Sequence, residues 1–346
     1  MKRLISIFFC LLIASFVSFG SGRIAKSPDY GKYDAEFSKV FNDVSLIGGT
    51  DEAHSLVVLK SGKMIFQKHD AAHGLRMPHI LWSASKSFTS LALGFAVQDG
   101  LLSLDDKVVS FFSEDELPAE ITEELASMTV WNLATMSSGF SRDLLGKTRA
   151  MAVTESTKET LASPIAFTPG TQFKYNSMNT YLIGAIVARL TGEDLDKYLD
   201  RKLFRPLGIK DYYWEKSAEG LCCGGWGLFL SPESLAKAGQ FMLQEGAWNG
   251  KQLLDKAYIR EATSAQVMQT QNATPEQLSS FSDDDWQQGY GYQFWKCTHG
   301  AYRMAGAHNQ FVIVIPDKDA VIVFTSSSSK GQSVMSSIWN HIYPLL

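Results

Sequence analysis

Segments with the character of β-strands lie near both ends of this chain, and the sequence between them is mostly helical. Two strand-like runs at residues 54–59 and 64–69 flank the turn Lys60-Ser61-Gly62-Lys63 and predict a hairpin. Runs at residues 289–297, 310–315 and 320–325 predict strands near the other end, and residues 301–305 can pair back on the first of them. Strands from both termini can share one sheet.

Apolar residues at helical spacing predict helices at 83–98, 129–136, 179–190, 195–204, 231–244 and 333–342. The sequence therefore predicts an α/β (α+β) fold. It would contain an antiparallel sheet built from both termini and flanked by helices, with a mainly helical insertion at about residues 105–210.

The first 22 residues have the composition of a secretory signal peptide. Lys2 and Arg3 precede an apolar run at residues 4–19, and small residues follow at 20–22. The run is slightly shorter than the about 20 residues of a comfortable membrane span. We expect a signal peptide at 1–22, a single domain at 23–346, and a periplasmic or secreted mature protein without stable membrane insertion. An uncleaved membrane anchor is the alternative.

Charge and cysteine content exclude several kinds of partner. Thirty-two basic and 36 acidic residues give a formal charge of −4, and no block of five like charges occurs, so no nucleic-acid partner is expected.

Beyond the predicted signal peptide, Cys222 and Cys223 leave two alternatives open: one of them bridges Cys297, or all three are buried thiols. The seven histidines show neither H-x-H nor HExxH spacing, so the sequence predicts no metal site and no cofactor.

Three S-x-x-K pairs occur, and their contexts differ. Ser83 opens an apolar helix, where free N–H groups and the helix dipole favour negative charge, and Lys86 follows one turn later on the same face. Poor solvation would lower the pKa of that lysine, as a general base requires. The alternative is a helix-capping serine beside a lysine that reaches solvent. The pair at 234 and 237 is predicted to be solvated, and the pair at 327 and 330 lies in a serine-rich run.

Tyr175 lies in a loop ahead of the helix predicted at residues 179–190. A phenol near an ammonium group loses its proton more easily, so Tyr175 is a candidate base or acid beside Ser83 and Lys86.

Motifs that match one family follow one another along the chain: His54-Ser55-Leu56-Val57-Val58, Trp82-Ser83-Ala84-Ser85-Lys86, Leu133-Ala134-Thr135-Met136-Ser137-Ser138-Gly139, Tyr175-Asn176-Ser177, Gly224-Gly225-Trp226-Gly227-Leu228 and Gly289-Tyr290-Gly291-Tyr292-Gln293-Phe294-Trp295. Because these motifs occur in this order, the chain resembles the serine β-lactamase-like hydrolases. This family comprises class C β-lactamases, DD-peptidases, related esterases and 6-aminohexanoate-dimer hydrolases. The resemblance implies a β-lactamase/transpeptidase-like fold. It also implies Ser83 as the acylated nucleophile, Lys86 as its activator and Tyr175 as the tyrosine of the family's Y-x-N motif.

The chain departs from the family pattern at two motifs. Ser177 replaces the asparagine of Y-x-N, which would bind substrate. The third motif resembles G-x-x-G-Q, with Asn309 in place of the second glycine. Asn tolerates unusual backbone angles, so the turn can survive, and we expect Gln310 and Ser83 to supply the two N–H groups of an oxyanion hole. His308 is a substrate-facing donor or an exposed edge residue, and Arg303 binds a substrate carboxylate or forms a surface salt bridge.

The sequence thus predicts an exported serine hydrolase that acts through an acyl-enzyme. Its substrate would be a small molecule or a peptide-like molecule with an ester or amide bond, and D-peptides and β-lactams belong to the same chemical range. The alternative is a catalytically inactive, penicillin-binding-like protein that binds a ligand. The oligomeric state is left open.

Overall fold

A six-stranded antiparallel sheet forms the centre of the fold. The computed structural model describes residues 23–46, 51–270 and 274–346, so the predicted signal peptide at 1–22 lies outside the described residues. The strands of the described chain, in order, are β1 Ala53–Lys60, β2 Lys63–His69, β3 His79–Ile80, β4 Tyr213–Trp214, β5 Leu228–Leu230, β6 Ala247–Trp248, β7 Lys251–Gln252, β8 Trp295–Lys296, β9 Tyr302–Gly306, β10 Gln310–Ile315 and β11 Ala320–Ser326. The large sheet has the order β2-β1-β11-β10-β9-β8, which confirms that strands from both termini pair.

Helices cover both faces of this sheet. They are α1 Asp34–Leu46, α2 Ser85–Gln98, α3 Glu123–Ser127, α4 Val130–Ala134, α5 Leu145–Arg149, α6 Ser156–Leu161, α7 Ser177–Thr191, α8 Leu195–Leu199, α9 Pro232–Leu243, α10 Lys256–Ala262, α11 Pro275–Ser280 and α12 Gly331–His341. The sequence analysis did not predict α1, while α2, α7, α9 and α12 lie close to the predicted ranges.

Alternation along the strands explains how the sheet is buried on both faces. Val57 on β1 and Val323 on β11 are paired and belong to the core shared with α2 and α9. The neighbouring pair, Leu56 and Phe324, belongs to the core shared with α1 and α12. Because successive side chains of a strand point to opposite faces, these apolar strands fill two cores at once.

The turns confirm one prediction and correct another. Ser61 and Gly62 have φ of 49° and 70°, which is the backbone of a two-residue hairpin turn between β1 and β2. The strand predicted at 289–297 is wrong over most of its length, since only β8 is extended there. Gly289 and Gln293 have φ of 105° and 67°, and these angles leave the extended region.

Gln293 has a second role as a link between helices. Its amide donates to the carbonyl of Ala134 at the end of α4 at 2.7 Å, and its side-chain oxygen accepts from Thr180 of α7 at 2.6 Å. The Ser87 hydroxyl of α2 donates to its backbone carbonyl at 2.7 Å. The buried amide therefore joins the helices that surround the candidate site.

The three described cysteines are free and buried, so the disulfide alternative is wrong for this structure. Among the described residues, no helix has both the length and the apolar character needed to cross a bilayer.

The packing of α9 on the sheet leads to a stability prediction. A Cβ atom at Gly239 would lie 2.5 Å from Val321 Cγ1 and 2.8 Å from Val312 Cγ1. We expect Gly239→Ala to lower the free energy of unfolding by about 1–3 kcal/mol, because overpacking outweighs the better helix propensity of alanine. The exposed Gly146 of α5 has open space around the same position. Gly146→Ala should leave stability unchanged or raise it by up to about 1 kcal/mol. Urea denaturation measures the stability of both variants. Equal stability of Gly239→Ala and Gly146→Ala would contradict the prediction.

Candidate active site

Ser83 lies in a short 3-10 turn, Trp82–Ala84, that leads directly into α2. The small sheet β3-β5-β4 holds this turn, because the N–H of Leu81 donates to the carbonyl of Leu228 at 2.8 Å. Neither the 3-10 turn nor α2 has a side-chain cap. The alternative in which Ser83 caps a helix is therefore wrong, and its hydroxyl is available for other partners.

Lys86 is buried beside Ser83. Its side chain is 1% exposed, which excludes a lysine that reaches solvent. Its Nζ lies 3.1 Å from Ser83 Oγ, 3.2 Å from Ser177 Oγ and 2.6 Å from the carbonyl oxygen of Gly225. Burial lowers the pKa of the Lys86 ammonium to about 7, and the negative charge of Asp143 acts in the opposite direction. A large fraction of this amine is therefore neutral near pH 7.

The second S-x-x-K pair is also buried, so its predicted solvation is wrong. Ser234 Oγ donates to Asp211 Oδ1 at 2.6 Å, whereas Lys237 Nζ donates to the carbonyl of Gly208 at 3.1 Å. The two side chains of this pair have separate partners. It offers a matched control for Ser83 and Lys86.

Tyr175 is in contact with the lysine through its ring. Lys86 Nζ lies 4.9 Å from the Tyr175 ring centroid, and the phenol stacks on Trp295 with centroids 5.9 Å apart. Burial raises the pKa of Tyr175, while its interaction with the Ser83 hydroxyl acts in the opposite direction. The expectation that Tyr175 loses its proton more easily is therefore wrong. The phenol stays protonated and can serve as a proton donor, and Lys86 is the candidate base.

Ser177 is part of the lysine's surroundings rather than of the substrate pocket. It is the first residue of α7 and is 2% exposed. Its hydroxyl contacts Lys86, and its N–H donates to Asp143 Oδ2 at 2.9 Å. Asn176 caps α7 by accepting from the N–H of Met178. The sequence analysis missed Asp143, because a single aspartate in an irregular segment carries no motif.

Close backbone contacts position these groups. A Cβ at Gly225 would lie 2.5 Å from the carbonyl oxygen of Ser177, and one at Gly306 would lie 2.0 Å from that of Leu81. A larger residue at either position would push the backbone away from the site. Trp82 has φ of 49°, an unusual backbone conformation for a bulky residue. The turn that carries Ser83 is therefore held by its surroundings.

A cavity of about 670 Å³ opens beside Ser83. Its lining combines aromatic rings, the β9–β10 turn and the segment before α12: Ser83, Tyr175, Asp284, Trp286, Trp295, Ala305, Gly306, Ala307, His308, Asn309, Phe311, Ser328, Ser329, Gly331 and Gln332. Asp284 contributes a carboxylate, and among the described residues no lysine or arginine lines the cavity.

The β9–β10 turn keeps its geometry with asparagine in place of glycine. His308 and Asn309 have φ of 60° and 62°, and Asn309 Nδ2 donates to the carbonyl of Ser328 at 3.0 Å. His308 is exposed, lines the cavity and lies 5.7 Å from Trp82 between ring centroids. Its role as a donor to substrate stays a prediction.

Gln310 does not line the cavity, contrary to its expected place in an oxyanion hole. It pairs with Gly306 across the strands, and its amide donates to the carbonyl of Ser326 at 2.7 Å. Ala307 lines the cavity together with Ser83. Neither the N–H of Ala307 nor that of Ser83 donates to another residue within the described ranges. Ala307 therefore replaces Gln310 as the candidate second donor.

Arg303 lies on β9 beneath the cavity and is fully buried. Its guanidinium donates to the carbonyl of Asp285 at 2.7 Å, and its Cζ lies 4.3 Å from the ring centroid of Trp286. Both sequence interpretations of Arg303 are wrong, because aromatic rings separate it from the cavity and it is remote from solvent.

Comparison with known proteins agrees with this fold. Residues 52–342 match the family Beta-lactamase, and the chain belongs to the β-lactamase family. Lovastatin esterase from Penicillium rubens is 34% identical over 153 residues, or 38% of each chain.

Two solved structures are similar in fold. A penicillin-binding protein homologue from Caulobacter crescentus has a TM-score of 0.71 at 15% identity, covering 93% of this chain and 99% of that one. A D-stereospecific amidohydrolase from Streptomyces sp. has a TM-score of 0.67 at 16% identity, covering 89% and 98%. The chain spans only 55%, 38% and 41% of the length of the first curated relatives that it matches. These comparisons confirm the family and the fold.

The buried lysine leads to a prediction about pH. If neutral Lys86 is the base for Ser83, the rate of labelling by a fluorophosphonate should rise about tenfold from pH 6 to pH 8, with a midpoint near pH 7. The neutral fraction of an amine with this pKa rises over that interval. Lys237→Ala should keep the same midpoint, because Lys237 does not contact Ser83. A rate that is constant between pH 6 and pH 8 would contradict the assignment.

Proposed function

We propose that the protein is an exported serine hydrolase that forms an acyl-enzyme on Ser83 and acts on short esters or small amides. The observation that carries the proposal is the 3.1 Å contact between Ser83 Oγ and the buried amine of Lys86, at one end of an aromatic cavity. Export rests on the signal-like composition of residues 1–22.

The first step is activation of Ser83. In the neutral state, two N–H groups of Lys86 point to the carbonyl of Gly225 and to Ser177 Oγ, so the lone pair faces the Ser83 hydroxyl. As Ser83 Oγ forms a bond to the substrate carbonyl carbon, its proton passes to Lys86. The carbonyl oxygen gains negative charge, and the free N–H groups of Ser83 and Ala307 stabilise it.

The second step is departure of the leaving group. The protonated phenol of Tyr175 donates its proton to the leaving oxygen or nitrogen and regains one from the Lys86 ammonium. The bond between the carbonyl carbon and the leaving group breaks, and the acyl group remains on Ser83. Water then attacks this ester while neutral Lys86 accepts one of its protons. The bond between the carbonyl carbon and Ser83 Oγ breaks, Lys86 returns the proton to Ser83 Oγ, and the carboxylic acid leaves.

The charge of the cavity supports neutral substrates. A β-lactam carries a carboxylate, and the cavity presents the carboxylate of Asp284 without a lysine or arginine to balance it. A charge-assisted contact is worth about 1.5–3 kcal/mol, so its loss costs about one to two decades in rate.

The nucleophile is tested by Ser83→Ala. We expect complete loss of fluorophosphonate labelling and of ester hydrolysis, with an unchanged circular dichroism spectrum, because the Ser83 hydroxyl caps no helix. Ser234→Ala, which changes the other buried pair, should retain activity. Absence of label on the wild-type protein would favour the inactive ligand-binding alternative. Label on Ser83→Ala would show that another residue is the nucleophile.

The substrate class is tested by comparing kcat/KM for p-nitrophenyl butyrate and nitrocefin. The neutral ester should be the better substrate by at least about tenfold. Asp284→Asn keeps an acceptor for the N–H of Trp286 and removes the negative charge. It should raise kcat/KM for nitrocefin by about twofold to fivefold and leave that for the ester unchanged. Nitrocefin turnover above that of the ester would overturn the substrate assignment without affecting the nucleophile.

A further inference from the structure

Three histidines from different segments meet where β1 of the large sheet lies near β3, the short strand that precedes Ser83. His54 is on β1, His79 is on β3, and His73 lies in the loop between β2 and β3. One ring nitrogen from each lies within 4.8 Å of the others. We propose that His54, His73 and His79 bind one divalent transition-metal ion of the Zn²⁺ type, at a site separate from the catalytic groups.

Hydrogen bonds orient two of these rings as metal ligands. His79 Nδ1 lies 2.9 Å from the carbonyl oxygen of Ile80, which can only accept, so this nitrogen carries the proton and the lone pair of Nε2 accepts from His54 Nδ1 at 2.8 Å. His73 Nδ1 lies 2.8 Å from Asp70 Oδ1, which fixes the same tautomer. Bonds from the second ring nitrogen to a carboxylate or a backbone carbonyl are typical of metal-bound histidines.

The spacing of the three rings suits a small ion. His54 Nδ1 lies 2.8 Å from His79 Nε2 in a hydrogen bond, and the His54 and His73 rings stack with centroids 4.0 Å apart. A bound ion would replace this hydrogen bond, the proton of His54 would move to Nε2, and the stacked rings would turn toward the ion. Tetrahedral zinc with Zn–N bonds of about 2.0–2.1 Å holds its nitrogens about 3.3–3.4 Å apart. Shifts of about 1 Å would therefore complete the arrangement. His54 is 8% exposed, whereas His73 and His79 are partly exposed, so an ion can enter and a fourth position remains for water.

The chemistry of the ligands favours a transition metal. Asp70 adds one negative charge beside His73. Imidazole ligands suit Zn²⁺, Ni²⁺ and Cu²⁺ rather than Mg²⁺ or Ca²⁺, which prefer oxygen.

A bound ion would stabilise the fold and would take no part in the proposed hydrolysis. An ion would tie β1 to β3 and to the loop between them, and β3 runs through Leu81 into the turn of Ser83. Sequence spacing predicted no metal site, because the ligands come from two different sheets and a loop, which only the tertiary fold brings together.

The proposal is tested by titrating the metal-stripped full chain with Zn²⁺. Isothermal calorimetry measures the binding, and thermal unfolding measures its effect on stability. We expect one ion per chain and a Tm that rises by several degrees with saturation. His73→Ala should weaken Zn²⁺ binding by about a hundredfold, and Asp70→Ala, which leaves all three rings in place, by about tenfold.

His299→Gln is the matched control, because His299 is exposed and packs against Trp339 and Tyr343 far from the cluster. It should bind Zn²⁺ like the wild type. Absence of stoichiometric binding to the wild-type chain, or equal binding by His73→Ala and wild type, would overturn the proposal. Fluorophosphonate labelling of Ser83 in the same samples reports separately on the hydrolase assignment.

Discussion

The burial of the Lys86 amine is the constraint on which the site depends. No carboxylate within the described residues bonds to it directly, and its hydrogen bonds go to two hydroxyls and one backbone carbonyl. Such an environment penalises the charged amine and so produces a base at neutral pH. To build it, the fold must bring together α2, the start of α7 and the segment before β5. The same burial raises the pKa of Tyr175, and on this basis we propose Lys86 as the base and Tyr175 as the acid.

Two glycines, which have no Cβ atom, are as important to the geometry of this site as its polar side chains. Gly225 lets its carbonyl reach Lys86 because no Cβ pushes it away from Ser177, and Gly306 lets β9 approach the turn of Ser83. The unusual backbone of Trp82 persists because β5 holds the turn from one side and β9 packs against the other. Strain of this kind is stable only where surrounding contacts determine the geometry. These contacts place Ser83 and Ala307 at the same cavity.

The short segment from His79 to Ser83 joins two chemically different regions. Its first residue belongs to the histidine cluster and pairs with β5, and its last residue carries the candidate nucleophile. An ion bound at the cluster would therefore stabilise the strand that positions the turn. The cavity at the Ser83 end of this segment has aromatic walls and a carboxylate, and the charged side chain of Arg303 is buried beneath those walls. The charge within the cavity is the basis of our proposal that neutral substrates are preferred over anionic ones.

By itself the sequence determined the pairing of terminal strands, the hairpin at Ser61 and Gly62, the main helices and the Ser83, Lys86 and Tyr175 set. These features depend on local patterns, namely the period of the apolar residues, turn residues and motif spacing. Tertiary structure alone decided that Ser177 faces Lys86, that Arg303 is enclosed, that Ala307 rather than Gln310 borders the cavity, and that three histidines meet. The physical reason is that burial, and therefore pKa and solvent access, arises from segments far apart in the chain, which no local pattern records.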